Sequence, residues 1–158
     1  MQLFILDYNP KKAAQMLADT HVRKMCLETA QILSAILIKN GINLQETMPK
    51  PHNLNHPVVK AINTPQKINW VVKYNIALQK EYLYRFEKKH AYYELQKSYR
   101  SLLFKRVKIQ ESDCSFAKDF KNFTTATTDV VMAYREYYKY KKTIIKSWHY
   151  TKRSDPFL

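Results

Sequence analysis

The chain has 158 residues, enough for one hydrophobic core, and its 27 Lys and Arg against 13 Asp and Glu give a formal charge of +14. That excess points to a polyanionic partner, nucleic acid first and an anionic membrane surface second, because cations that meet phosphates release counterions. Two distant cysteines, Cys26 and Cys114, argue against a disulfide framework, and the apolar start over residues 1–7 is too short for a signal peptide or a membrane span. One cytoplasmic domain over residues 1–158 is expected, with reduced thiols and no membrane partner.

Asn9-Pro10 reads as a helix cap followed by proline at the first helical position, and residues 11–39 contain neither Gly nor Pro. A single long helix is expected there, closed by Gly41, the only glycine of the chain. Val22, Cys26, Ala30, Leu33 and Leu37 form its apolar stripe. Four prolines interrupt residues 42–65, so a long irregular connection is expected. Helical periodicity returns over residues 66–104, with a bend near Lys89-His90. There Ile68, Val72, Ile76, Leu83 and Phe86 suit a core face, beside a stripe of Trp70, Tyr74, Ala77, Glu81 and Arg85. Residues 105–123 read as irregular, and Thr128-Asp129 caps a further helix over 130–148. The expected fold is all-α: three to four main helices with long irregular connections.

Two constellations carry candidate chemistry. His21, Lys24 and Glu28 share one helical sector at about 100° per residue, which sets an imidazole, an amine and a carboxylate on a partly apolar wall. A Glu beside a cation can act as general base or steady a cationic intermediate, and an amine crowded by cations can become a nucleophile. The plainer reading is an i,i+4 surface pair between Lys24 and Glu28. The second constellation is the run of residues 134–142, extended by Lys146 and Trp148, in which Tyr alternates with Lys and Arg. Arg135, Lys139, Lys142 and Lys146, with Arg23, suit phosphates, and Tyr137 and Tyr138 suit base stacking; the alternative is a core helix with a solvated outer face. The histidines lack metal-ligand spacing, and no Gly-rich phosphate loop or Ser-hydrolase elbow is present, so no metal or cofactor is expected.

The run Leu17-Ala18-Asp19-Thr20-His21, with Glu28 seven residues after the histidine, resembles the L-A-D-x-H…E pattern of the pyrimidine-dimer DNA glycosylase family, the phage endonuclease V type. Met1 to Phe4 and Asn55-His56-Pro57 are similar to elements of its bacterial relatives, and small uncharacterised phage proteins share the M-x-x-F-x-L-D start. The resemblance implies an all-α fold acting on double-stranded DNA with damaged or modified pyrimidines. It also implies a glycosylase and AP-lyase reaction through an amine Schiff base, with Glu28 as the essential carboxylate and His21 as its neighbour. Two departures bear on the chemistry. Gln2 is too large for removal of Met1, so the amine falls to Met1 itself or to Lys24. Leu27 and Gln31 stand where the family carries arginines. A noncatalytic nucleic-acid-binding protein, and an enzyme acting on modified bases or nucleotides without strand cleavage, are the alternatives.

Overall fold

Local capping chemistry sets most of the helix starts in the computed structural model, which describes residues 2–104 and 116–158. Six helices are present: α1 (Pro10–Gln15), α2 (Asp19–Lys39), α3 (Pro57–Ala61), α4 (Pro65–Phe86), α5 (Leu95–Leu103) and α6 (Val130–Ile144). Among the described residues there is no strand, and the architecture is all-α. Asn9 accepts from the amides of Lys11 and Lys12, Thr64 from Lys67, and Asp129 from Met132, each satisfying donors that the first helical turn leaves free. Gly41 adopts φ +71°, and the bonds Ile42 N to Leu37 O and Gly41 N to Ile38 O close α2 in a glycine-terminated turn.

The single helix expected over 11–39 is two helices. No glycine or proline marks the break; long-range partners make it. The Ala18 amide donates to the Tyr138 hydroxyl at 2.8 Å and the Asp19 amide to the His149 carbonyl at 2.8 Å, so neither continues the ladder of α1. The expected helix over 66–104 also divides, because Glu87 takes a left-handed conformation at φ +56° and ends α4. The proline-rich connection contains a short helix, α3, that starts with His56 as cap and Pro57 at the first position.

α2 and α4 run antiparallel, since the bonds Arg85 to Leu17, Gln79 to Cys26 and Asn75 to Thr29 rise along one helix as they fall along the other. α5 joins them through Tyr99, whose hydroxyl meets Ser34 at 2.7 Å and donates to the Ala30 carbonyl at 3.0 Å. Leu3, Phe4, Ile5 and Leu6 thread the core as an irregular buried segment.

A buried charged network locks the helix break. Arg85, 2% exposed, donates to the Gln15 and Leu17 carbonyls at 3.0 and 2.7 Å, to Asp19 at 3.0 Å and to Glu81 at 2.8 Å. Arg153 reaches both oxygens of Glu81 at 2.9 and 3.0 Å, and Thr151 donates to Asp19 through its amide and its hydroxyl. Arg85→Leu would take this donor from the Gln15 and Leu17 carbonyls and leave Asp19 to Thr151 and Glu81 to Arg153 alone. It should lower unfolding stability by about 3–5 kcal/mol in urea titrations, the usual cost of removing one partner from a buried ion pair.

Candidate functional site

The residues before α2 fix its start, and Glu28 then follows on its outward sector. Leu17 gives its carbonyl to Arg85, Ala18 its amide to Tyr138, and Asp19 its carboxylate to Arg85 and Thr151. His21 is 5% exposed, and its Nδ1 lies 2.8 Å from the same Tyr138 hydroxyl. Phe4, Tyr138 and Trp148 enclose the imidazole at ring distances of 4.6, 5.2 and 5.3 Å. Phe4 holds a left-handed backbone, φ +50°, to do so. Burial, reinforced by the charges of Lys141 and Lys24, pushes the His21 pKa down to about 3, so the ring is neutral at physiological pH.

Glu28 is half-buried, and its Oε1 lies 3.3 Å from Nζ of Lys24, whose side chain is 62% exposed. The i,i+4 pair expected from the spacing is therefore present. The enclosing apolar wall expected around the Lys24 amine is not. One turn on, Gln31 donates to the Lys50 carbonyl at 3.4 Å and draws the proline-rich connection against α2. This brings in His56, whose Nδ1 accepts from the Val58 amide at 3.2 Å and whose Nε2 lies 3.9 Å from Asp119. Burial lowers the His56 pKa, while the charges of Asp119 and Glu28 oppose the shift. Gln2 donates through its amide nitrogen to the Asp119 carbonyl and accepts from the Tyr134 hydroxyl at 3.2 Å. Met1 lies outside the described residues. On α6, Lys141 is half-buried; burial, then the charges of Lys24 and Lys121, hold its amine below the ordinary lysine value. Lys24 thus pairs with Glu28 and adds its charge to that of Lys121 at Lys141.

His56, Asp119, Gln2 and Lys141 were not among the site residues expected from sequence. The cap-and-proline signal His56-Pro57 was visible, but nothing local links it to Glu28.

The expected stacking surface on α6 is corrected. Tyr137 is 2% and Tyr138 0% exposed, the first packed on Phe4, Phe120 and Phe123 and the second on Phe4 and Trp148, so neither ring faces a base in this fold. Trp70 and Tyr74 are likewise core residues. Of the expected phosphate ligands, Arg135 donates to the Leu6 carbonyl at 2.7 Å and pairs with Asp7, and Lys142 pairs with Asp155 at 2.5 Å. Lys139 and Lys146 are exposed, and so is Arg23, whose guanidinium lies 4.3 Å over the Phe86 ring. Cys26 is a free buried thiol whose pKa burial pushes up to about 12, and Cys114 lies outside the described residues. Among the described residues no group of His, Cys, Asp and Glu is arranged to hold a metal, and no helix is long and apolar enough to cross a membrane.

A family model for pyrimidine dimer DNA glycosylases matches residues 1–94, a stretch that contains Glu28, His56 and α4 but not α6. No curated protein and no solved structure matches the chain.

The buried histidine of the matched stretch has a measurable signature. Between pH 6.5 and pH 3 the unfolded chain protonates His21 while the folded chain does not, so folding stability falls as pH falls, by about 1.4 kcal/mol per pH unit from this group. The stability gap between wild type and His21→Asn should therefore shrink at that rate from pH 6 to pH 5, where carboxylates are still ionised. Urea unfolding at the two pH values measures it.

Proposed function

The chain belongs to the pyrimidine dimer DNA glycosylase family, and from that premise we propose that it excises damaged or modified pyrimidines from double-stranded DNA and then cleaves the strand as an AP lyase. In this reading the Met1 α-amino group attacks C1′ of the damaged nucleoside. The bond from C1′ to the base breaks, the base leaves with the electron pair and takes up a proton, and ring opening yields a protonated Schiff base. Loss of a C2′ proton to a general base then expels the 3′ phosphate by β-elimination, and water releases the enzyme. Glu28 stabilises the cationic intermediate and accepts the C2′ proton.

The observation that carries this reading is the placement of Glu28. It is the half-buried carboxylate at the matched L-A-D-x-H…E position, and its field reaches His56, whose partner Asp119 binds Gln2, the residue next to Met1. Lys24 is the weaker choice of amine, because it stands in solvent and is paired with Glu28. A free α-amino group has an ordinary pKa near 7.7–8.0 and is more often neutral at pH 7 than a lysine near 10.4. Leu27 and Gln31 supply no cation beside Glu28, and in this reading Lys24, Lys121, Lys141 and Arg23 meet the phosphates instead. The absence of those two arginines also favours the runner-up, a DNA-binding protein without strand cleavage.

Glu28→Gln should lower incision of dimer-containing or abasic duplex by at least about 100-fold while leaving DNA affinity within about twofold, because it removes a base without removing a cation. Parallel loss of both activities would make Glu28 a structural residue. Borohydride should trap the protein covalently on abasic DNA, with the adduct on the amino-terminal peptide and still formed there in Lys24→Ala once DNA is raised to saturate the variant. A folded, DNA-binding preparation that gives no adduct would establish the runner-up.

A further inference from the structure

The face of α4 that turns away from α2 carries a second feature, separate from Glu28. Asn75, Leu78 and Gln79 bond to Thr29 and Cys26 of α2. At about 100° per residue, Lys73, Ile76, Ala77, Lys80 and Tyr84 fall on the other side of the helix. With Lys11 of α1 and Arg153 of the carboxy-terminal segment they line a groove of about 580 Å³. Its floor is apolar, formed by Ile76, Ala77 and the ring of Tyr84, which stays 48% exposed with the Arg153 guanidinium 4.5 Å over it. Its rim is cationic. Among the described residues no carboxylate pairs with Lys11, Lys73 or Lys80, all three exposed. The one acid of the groove, Glu81, is already held by Arg85 and Arg153.

We propose that this groove binds a nucleoside phosphate, with the base on the Ile76, Ala77 and Tyr84 floor and the phosphates on Lys11, Lys73 and Lys80. The volume falls within the range of small-molecule sites, at about 300–1,000 Å³. The combination of a flat apolar surface and unneutralised cations matches a ligand that joins an aromatic ring to concentrated negative charge. A free nucleotide and the phosphorylated end of a single strand both present that chemistry. The groove shares no residue with the Glu28 site, so the inference stands apart from the reaction proposed there.

The test is fluorescence anisotropy of two probes, a fluorescent deoxynucleoside triphosphate and a labelled 5′-phosphorylated single-stranded 12-mer, against the full chain at low salt. Wild type should bind at least one of them. Lys73→Gln/Lys80→Gln, which alters exposed side chains only, should weaken that binding by about tenfold or more, with an unchanged melting temperature showing that the fold is intact. Unlabelled tripolyphosphate should compete several-fold less well than the unlabelled nucleotide, because it leaves the apolar floor uncovered. Binding confined to the triphosphate would identify the free nucleotide as the source, and binding confined to the 12-mer would identify the strand end. Failure of both probes, equal binding by the double variant, or equal competition by tripolyphosphate would overturn the assignment.

Discussion

The guanidinium of Arg85 holds together parts of the chain that would otherwise separate. It spans the last carbonyl of α1, the carbonyl of Leu17, the first carboxylate of α2 and its own helix-mate Glu81, and Glu81 in turn takes Arg153 from the tail. An ion buried at this depth is tolerated only when its donors are matched, and here the matching groups are those that the helix break leaves without partners. The break and the buried arginine are therefore two sides of one constraint. The same constraint fixes where α2 starts, and with it the place of Glu28.

That arrangement divides the labour within the L-A-D-x-H…E pattern. Leu17, Ala18, Asp19 and His21 all face inward and are engaged by α4, α6 or the tail, whereas Glu28 reaches the outward edge of the same helix. The run is held in the core, and the carboxylate is the group of the pattern that stands at its edge. His21 is enclosed by three aromatic rings and kept neutral, and it shares the Tyr138 hydroxyl with the Ala18 amide at the helix start.

Features with local causes were legible in the sequence. The caps at Asn9 and Asp129, the proline at the first turn of α1, the glycine after α2 and the i,i+4 pairs of Lys24 with Glu28 and Glu81 with Arg85 all follow from spacing, whereas Pro65 read as an interruption and opens α4. The break at residues 16–18 was not legible, because its cause lies at Arg85, Tyr138 and His149. The tyrosines of α6 illustrate a competition between two signals. Their interleaving with lysines suggested a nucleic-acid face, yet Tyr134, Tyr137 and Tyr138 stand at i, i+3 and i+4, the spacing of a core stripe, and burial of three large rings outweighed any surface role. His56, Asp119 and Gln2 meet one another from remote segments, and no period within α2 could disclose them.

The family match ends at residue 94, but the matched stretch is not closed upon itself. Its buried polar groups are satisfied from beyond that point: Ala18 and His21 by Tyr138, Asp19 by Thr151, the Leu6 carbonyl by Arg135 and Glu81 by Arg153. Without α6 and the tail the Ala18 amide, the His21 ring and the Leu6 carbonyl would lose these partners, each at a cost of about 1–3 kcal/mol, and Asp19 and Glu81 would keep Arg85 alone. The basic carboxy-terminal region is thus bound to the fold through its arginines and tyrosines. What it offers to a polyanion is the remainder: Lys139 and Lys146 in solvent, and the half-buried Lys141, on which burial and then the charges of Lys24 and Lys121 act. Charge alone pointed to a nucleic-acid partner. It is the prior claim of the core on the other side chains that decides which cations remain to meet it.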